Sequence, residues 1–253
     1  MKFEPIWGRR PVTEVIRAAR RRIHQLYLAR GVDLGDVSEM IDIAKRRDIG
    51  IRWVDRGELK RYVGGEDDVH QGVVALADPY PYTDVEAMLA LASRRKEEPF
   101  LVLGAHIEDP HNLGSILRTA ECAGVHGVII PRRRAAGVTP TVVRVSAGAS
   151  EHMAVARVTN LVRTVEELKT LHLWIYGTQV GGTSLYDTDT SGGVVLCFGS
   201  EGSGLPRLLA QTCDVLVELP LQGKVESLNV GVAAGVTIYE VLRRRMSTSM
   251  AGY

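Results

Sequence analysis

Cysteine and aromatic side chains are scarce: of 253 residues three are Cys and 6% are Phe, Trp or Tyr. Cys122, Cys197 and Cys213 are odd in number and form no Cys-x-x-Cys pair, which excludes a disulfide framework and a zinc knuckle. They read as small core residues of a reduced, cytoplasmic protein, and no metal is expected. No apolar run approaches the roughly 20 residues that span a bilayer, and Met1 to Pro11 lacks the apolar centre of a signal peptide. No membrane partner is therefore expected. An excess of one charge is missing as well. Lys and Arg number 31 against 30 Asp and Glu, a formal net charge of +1, so bulk charge announces no nucleic-acid partner.

What is present is uneven. Residues 1–35 carry eight basic side chains, Lys2, Arg9, Arg10, Arg17, Arg20, Arg21, Arg22 and Arg30, against Glu4, Glu14 and Asp33. Arg132, Arg133 and Arg134 form a second cluster. Either is most simply a solvated face, and becomes an RNA footprint only if the rest of the chain supplies RNA chemistry.

Helical and strand-like patterns alternate along the first part. Pro11–Arg22 predicts a helix, Arg22–Ala29 a strand, Asp36–Arg47 a helix, Ile49–Val54 a strand, Asp55–Tyr62 a short helix and Gln71–Ala77 a closing strand. This defines a small α/β domain over 1–77. The proline-punctuated stretch Asp78-Pro79-Tyr80-Pro81-Tyr82, a short helix over 84–95 and Lys96-Glu97-Glu98-Pro99 predict a connector over 78–98. From 99 to 253 apolar strands are expected at 100–104, 127–130, 153–158, 173–178, 194–199 and 215–220, followed by a last helix from near Ser227. Near-continuous apolar runs suit a parallel sheet covered by helices on both faces.

Three motifs sit at three of these strand ends. Asp109-Pro-His-Asn112-Leu-Gly-Ser-Ile-Leu-Arg118 opens a helix, with Asn112 a plausible cap. Gly199-Ser-Glu201-Gly202-Ser-Gly204 lets a backbone turn sharply and approach a ligand. It lacks the Gly-Lys-Ser/Thr of a P-loop and the spacing of a dinucleotide fingerprint. Leu219-Pro-Leu221 through Ser227-Leu228-Asn229 enters the last helix, with Ser227 a natural cap.

In type, order and position these motifs resemble those of the SpoU branch of the SPOUT methyltransferases, over residues 100–245. Residues 1–77, ending in His70-Gln-Gly-Val-Val-Ala75, resemble the L30e-like RNA-binding domain of the bacterial enzymes that methylate a 23S rRNA guanosine. The resemblance implies an α/β fold whose parallel sheet carries a deep trefoil knot, S-adenosylmethionine as cofactor, and methylation of a ribose 2′-hydroxyl in RNA. It implies a homodimer, with residues 106–124 and the last helix in contact, and an rRNA or ribosome-assembly intermediate as partner. Gly199, Leu219 and Leu228, with Thr178, Gly202 and Leu221, match the cofactor pocket. Arg118, Asn112, Glu201, Ser227 and Asn229 match the catalytic set. The family assigns proton acceptance to the motif-one arginine, here Arg118. Because arginine stays protonated, Arg118 is equally read as a phosphate clamp and alkoxide stabiliser, with water or phosphate taking the proton. With RNA as partner, Arg9, Arg10, Arg20 and Arg21 become candidate RNA contacts, with Trp7 as a stacking surface. The competing readings are a tRNA ribose methyltransferase, a resistance enzyme acting on another rRNA loop, and a non-catalytic RNA-binding or assembly protein.

Overall fold

The computed structural model describes residues 3–63, 69–200 and 202–250. It forms two compact units, one of residues 1–81 with 137–152, the other of 82–136 with 153–253.

The first unit is built on a mixed four-stranded sheet. Its elements are β1 (Glu4–Trp7), α1 (Arg9–Ala18), β2 (Ile23–Ala29), α2 (Leu34–Arg46), β3 (Ile51–Val54), α3 (Arg56–Leu59) and β4 (Val73–Ala77). The strand order is β1-β4-β2-β3, with β3 parallel to β2 and the other pairs antiparallel. Helix α1 buries Pro11, Val12, Val15 and Ile16, a spacing that puts one apolar face on the sheet. Strand β1 was not expected from the sequence. It is four residues long, too short for a period to register, and its Pro5 is tolerated because β1 is an edge strand.

In the second unit α4 (Val85–Arg95) precedes β5 (Phe100–Gly104), α5 (Pro110–Cys122) and β6 (Gly127–Pro131). After β6 the chain contributes α6 (Pro140–Val145) to the first unit. It then continues with β7 (Val155–Val158), α7 (Leu161–Thr170), β8 (Trp174–Ser184), β9 (Val194–Phe198), α8 (Arg207–Thr212), β10 (Val215–Glu218) and α9 (Val230–Met250). All six strands are parallel, in the order β10-β8-β9-β5-β6-β7. Every residue of β5, β6 and β9 is buried, as their unbroken apolar runs require when both faces are covered.

The structure differs from the expected pattern at three places. The linear division at 77 and 99 is not how the compact units divide, because residues 137–152 pack with the first 81. Glu151, which is wholly buried, holds Arg21 there, Oε1 accepting from Nη2 at 2.6 Å and Oε2 from Nε at 3.1 Å. The stretch 78–98 is also more than a connector. Thr83 donates its backbone N–H to Val155 at 2.9 Å, and α4 is capped by Asp84. The helix inserts Met88 fully into the core beside Gly127, where a Cβ would stand 2.2 Å from the Met88 sulfur. Strand β8 runs on to Ser184, where the sequence pattern ends near Thr178, because its second half is polar and partly exposed. Gly182 permits that extension: a Cβ there would lie 2.6 Å from the Leu216 carbonyl oxygen.

Among the described residues no helix is long and apolar enough to cross a membrane. No group of three or more His, Cys, Asp or Glu among them could hold a metal ion.

Candidate active site

In an open parallel sheet, the loops at the carboxyl ends of the strands form the crevice in which ligands bind. Here the chain leaving β9 (from Gly199), the chain leaving β10 (Leu219–Leu228) and the extended half of β8 enclose a cavity of about 780 Å³. All six residues matched to the cofactor pocket, Gly199, Leu219, Leu228, Thr178, Gly202 and Leu221, line it. The second and third motifs, twenty residues apart in sequence, thus meet in one place. Gln179, Val180, Val217, Lys224 and Val225 also line it and were missed; the first two fall in the part of β8 that the pattern did not extend to.

The glycine loop closes on itself. Ser200 and Gly204 exchange backbone hydrogen bonds, 3.2 Å from the Ser200 N–H and 2.9 Å from the Gly204 N–H. Gly204 adopts φ +64°, which glycine occupies at no steric cost. A Cβ on Gly199 would fall 2.0 Å from the Gly204 carbonyl carbon and 2.3 Å from the Leu205 nitrogen. Gly199 is therefore required by the loop's own return path, and only through it by a ligand. Gly199→Ala should weaken binding of the cavity's ligand at least about tenfold, 1.4 kcal/mol, because the loop must open. Calorimetric titration, with circular dichroism to confirm the fold, checks this; unchanged affinity would free the loop from the pocket wall.

The catalytic candidates divide. Asn112 does not cap its helix. Asp109 does, accepting the His111 N–H at 2.8 Å, with Pro110 in the first turn. Asn112 is buried on α5 and its Oδ1 accepts from Asn229 Nδ2 at 2.9 Å. Asn229, not Ser227, caps α9, its Oδ1 accepting the N–H groups of Gly231 at 2.9 Å and Val232 at 3.2 Å. With that oxygen committed to the helix end, the amide NH₂ of Asn229 is left to face Asn112. The first and third motifs are joined by this bond. Asn229→Ala removes the cap and one partner of Asn112, and should cost about 1–2 kcal/mol in a urea denaturation. Ser227 stands exposed in the cavity wall. Glu201 lies outside the described residues.

Arg118 is exposed on α5, makes no hydrogen bond or ion pair with a described residue, and does not line the cavity. Six positions beyond Asn112 on an α-helix, its side chain is turned about 120° from it.

The RNA candidates also divide. Arg21 is removed from solvent by Glu151 and by Glu4, whose Oε2 lies 2.8 Å from Nη1. Half-buried Arg20 donates to the Tyr80 hydroxyl at 3.2 Å and the Pro81 carbonyl at 3.3 Å, and lies over the Tyr80 ring. Neither is a free RNA contact. Trp7 is no stacking surface either, being buried with Tyr27 and Val74. Arg9, ion-paired with Asp36, and exposed Arg10 line a cleft of about 830 Å³ together with Arg56 and Arg144.

Comparison with known proteins divides the chain linearly. Residues 99–239 match the SpoU rRNA methylase family, and residues 5–83 match the domain described as RNA 2′-O ribose methyltransferase substrate binding. The chain belongs to the SpoU rRNA methylase family. YacO of Bacillus subtilis, which carries a TrmH family tRNA/rRNA methyltransferase name, is 43% identical over 94% of this chain and 94% of its own. The 23S rRNA (guanosine-2′-O-)-methyltransferase RlmB of Coxiella burnetii is 40% identical over 96% of this chain and 97% of its own. The SpoU methyltransferase AviRb of Streptomyces viridochromogenes, crystallised with AdoMet, superposes with a TM-score of 0.80 at 25% identity. The match covers 97% of this chain and 91% of that one.

As a SpoU methylase the chain is an RNA ribose 2′-O-methyltransferase using S-adenosylmethionine. The cavity fits that cofactor. About 780 Å³ suits a ligand of nucleoside size. Leu221, Leu228 and Val225 expose 37%, 41% and 75% of their surface into it, an apolar wall for an adenine ring. Glu218, whose Oε2 accepts the Gly181 N–H at 2.6 Å, and Glu226 outnumber Lys224 among the charged residues described on the same wall, a balance that suits a cationic sulfonium.

Proposed function

We propose that this SpoU methylase acts as a homodimer in the cytoplasm and methylates the ribose 2′-hydroxyl of a guanosine in 23S rRNA. The observation that carries the target is the extent of likeness to RlmB, which runs through the substrate-binding part as well as the catalytic part. A tRNA target is disfavoured by that same part, since discrimination between RNAs has to come from surface beyond the methyl-transfer site.

Bound S-adenosylmethionine supplies an electrophilic methyl group. The protein's share is alignment of the acceptor and stabilisation of charge on its oxygen. The Asn112–Asn229 bond fixes the start of α9 against α5, holding Leu228 and Ser227 at the rim. Ser227 and Glu201 orient the ribose. Arg118 donates to the 2′-oxygen as it becomes anionic and to the neighbouring phosphate.

The homodimer reading rests on two features. Arg118 does not line its own chain's cavity, and a second copy would bring one to it. Helix α9 also exposes Val232, Val236, Tyr239 and Met246, the first three spaced by four and three residues on one apolar face. At a cofactor concentration that leaves Gly199→Ala largely unloaded, mixing Arg118→Ala with Gly199→Ala subunits should therefore give more transfer than the two variants assayed apart. Activity no higher than the sum of the two would overturn the shared site. Mapping ribose methylations in rRNA from cells lacking the protein tests the target: one 23S guanosine should lose its 2′-O-methyl group, and an unchanged 23S pattern would refute the assignment.

A further inference from the structure

Beside the cofactor cavity, and sharing Gln179 and Gly204 with it, lies a second cavity of about 740 Å³ at the same carboxyl edge of the sheet. Arg134, Arg207 and His106 line it, with Ser203 and Gln211, and among the described residues no acidic side chain does. Neither Arg134 nor Arg207 makes an ion pair or hydrogen bond with any described residue, and both are exposed. Other exposed arginines, Arg10, Arg94, Arg95 and Arg118 among them, likewise make no ion pair with a described residue; what sets Arg134 and Arg207 apart is that both line one cavity. Two guanidinium groups in one concave site, unmatched among the described residues, repel each other, an arrangement that favours an anion.

His106, just after β5, and Arg134, just after β6, both hold positive φ, +62° and +55°. Six other side-chain-bearing residues hold positive φ at helix ends and turns, Ala19, Lys96 and His172 among them, so the conformation here sets the direction of the side chain without by itself marking a site.

We infer that this cavity is a phosphodiester subsite, in which Arg134 and Arg207 clamp, and His106 flanks, one backbone phosphate of the substrate RNA next to the target ribose. This rests on RNA being the substrate. A 2′-hydroxyl has the 3′-phosphodiester on the adjacent carbon, so a ribose presented to the cofactor cavity carries a phosphate into its surroundings whatever its base. An arginine pair matches the planar, bidentate demand of phosphate oxygens, and Ser203 and Gln211 add neutral donors. The subsite recognises backbone, so it positions the nucleotide and carries no sequence information.

The test uses the full-length protein and a 23S rRNA fragment that it methylates. Arg134→Ala/Arg207→Ala should weaken RNA binding about tenfold or more and lower the slope of log affinity against log salt by about one. Affinity for S-adenosylmethionine should not change. Arg134→Lys/Arg207→Lys should restore the salt slope but only part of the affinity. The comparison variant is Arg94→Ala/Arg95→Ala, which removes equal charge from the end of α4, at the opposite edge of the sheet, and should leave the slope unaltered. An unchanged slope in the Arg134/Arg207 variant, or equal losses in both alanine pairs, overturns the subsite. Failure of the wild-type protein to methylate any RNA removes the functional reading instead, and the subsite with it.

Discussion

Arg118→Ala should slow single-turnover methylation of a saturating 23S rRNA fragment by at least about a hundredfold, the lower end for loss of a positioned acid–base group. Arg118 is the one catalytic candidate that stands exposed on α5 without a described partner, so its loss disturbs little of the fold. Arg118→Lys should recover only a small part of the rate, because an ammonium is a point charge and cannot span a phosphate and a ribose oxygen with one rigid fork. Affinity for S-adenosylmethionine should barely change in either variant, since Arg118 is read as meeting the ribose and phosphate of the RNA, and the cofactor cavity is lined by the second and third motifs. Wild-type rates in Arg118→Ala would remove it from the reaction. Lost cofactor binding would place it in the pocket.

The second large effect is on stability. Arg21→Ala should cost about 3–5 kcal/mol, because it leaves the Glu151 carboxylate buried without its partner. That is a large share of the 5–15 kcal/mol typical of a folded domain. Burial already pushes the Glu151 carboxyl above the usual carboxylate range, and Arg21 opposes the push. Without Arg21 the folded-state value rises further above the unfolded one. A raised carboxyl contributes stability that is present below the unfolded value, about 4.3, and lost as pH climbs through the folded value. The deficit of Arg21→Ala relative to wild type should therefore be largest at neutral pH and shrink toward pH ~4. Urea denaturation at the two pH values measures it. Arg21→Met/Glu151→Leu, which removes both buried charges, should regain most of the loss. A deficit independent of pH would deny that an unpaired Glu151 is the cause. The same pair warns against dissecting the chain at residue 98, since that cut takes Arg21 from residues 137–152.

The parallel sheet was legible because buried strands write their apolar runs directly into the sequence, as in Phe100–Gly104 and Val194–Phe198. That the second and third motifs line one cavity was legible for a different reason: motif order carried it, and no periodicity would have joined Gly199 to Leu228. What escaped depended on partners far away in the chain. Arg20 and Arg21 belong to a basic cluster in sequence, yet a carboxylate 130 positions on turns Arg21 into core. Ser227 has the chemistry of a cap as good as that of Asn229, and the choice was made by the Asn112 amide across from it. The last half of β8 escaped because its residues are neither apolar nor alternating.

The measurement closest to the central claim is transfer of a labelled methyl group from S-adenosylmethionine to 23S rRNA by the purified protein, followed by nucleoside analysis of the product. The account predicts label in 2′-O-methylguanosine from a single position, with none when the acceptor guanosine carries a 2′-deoxyribose. Label on a base, or transfer to tRNA in preference to 23S rRNA, would contradict it.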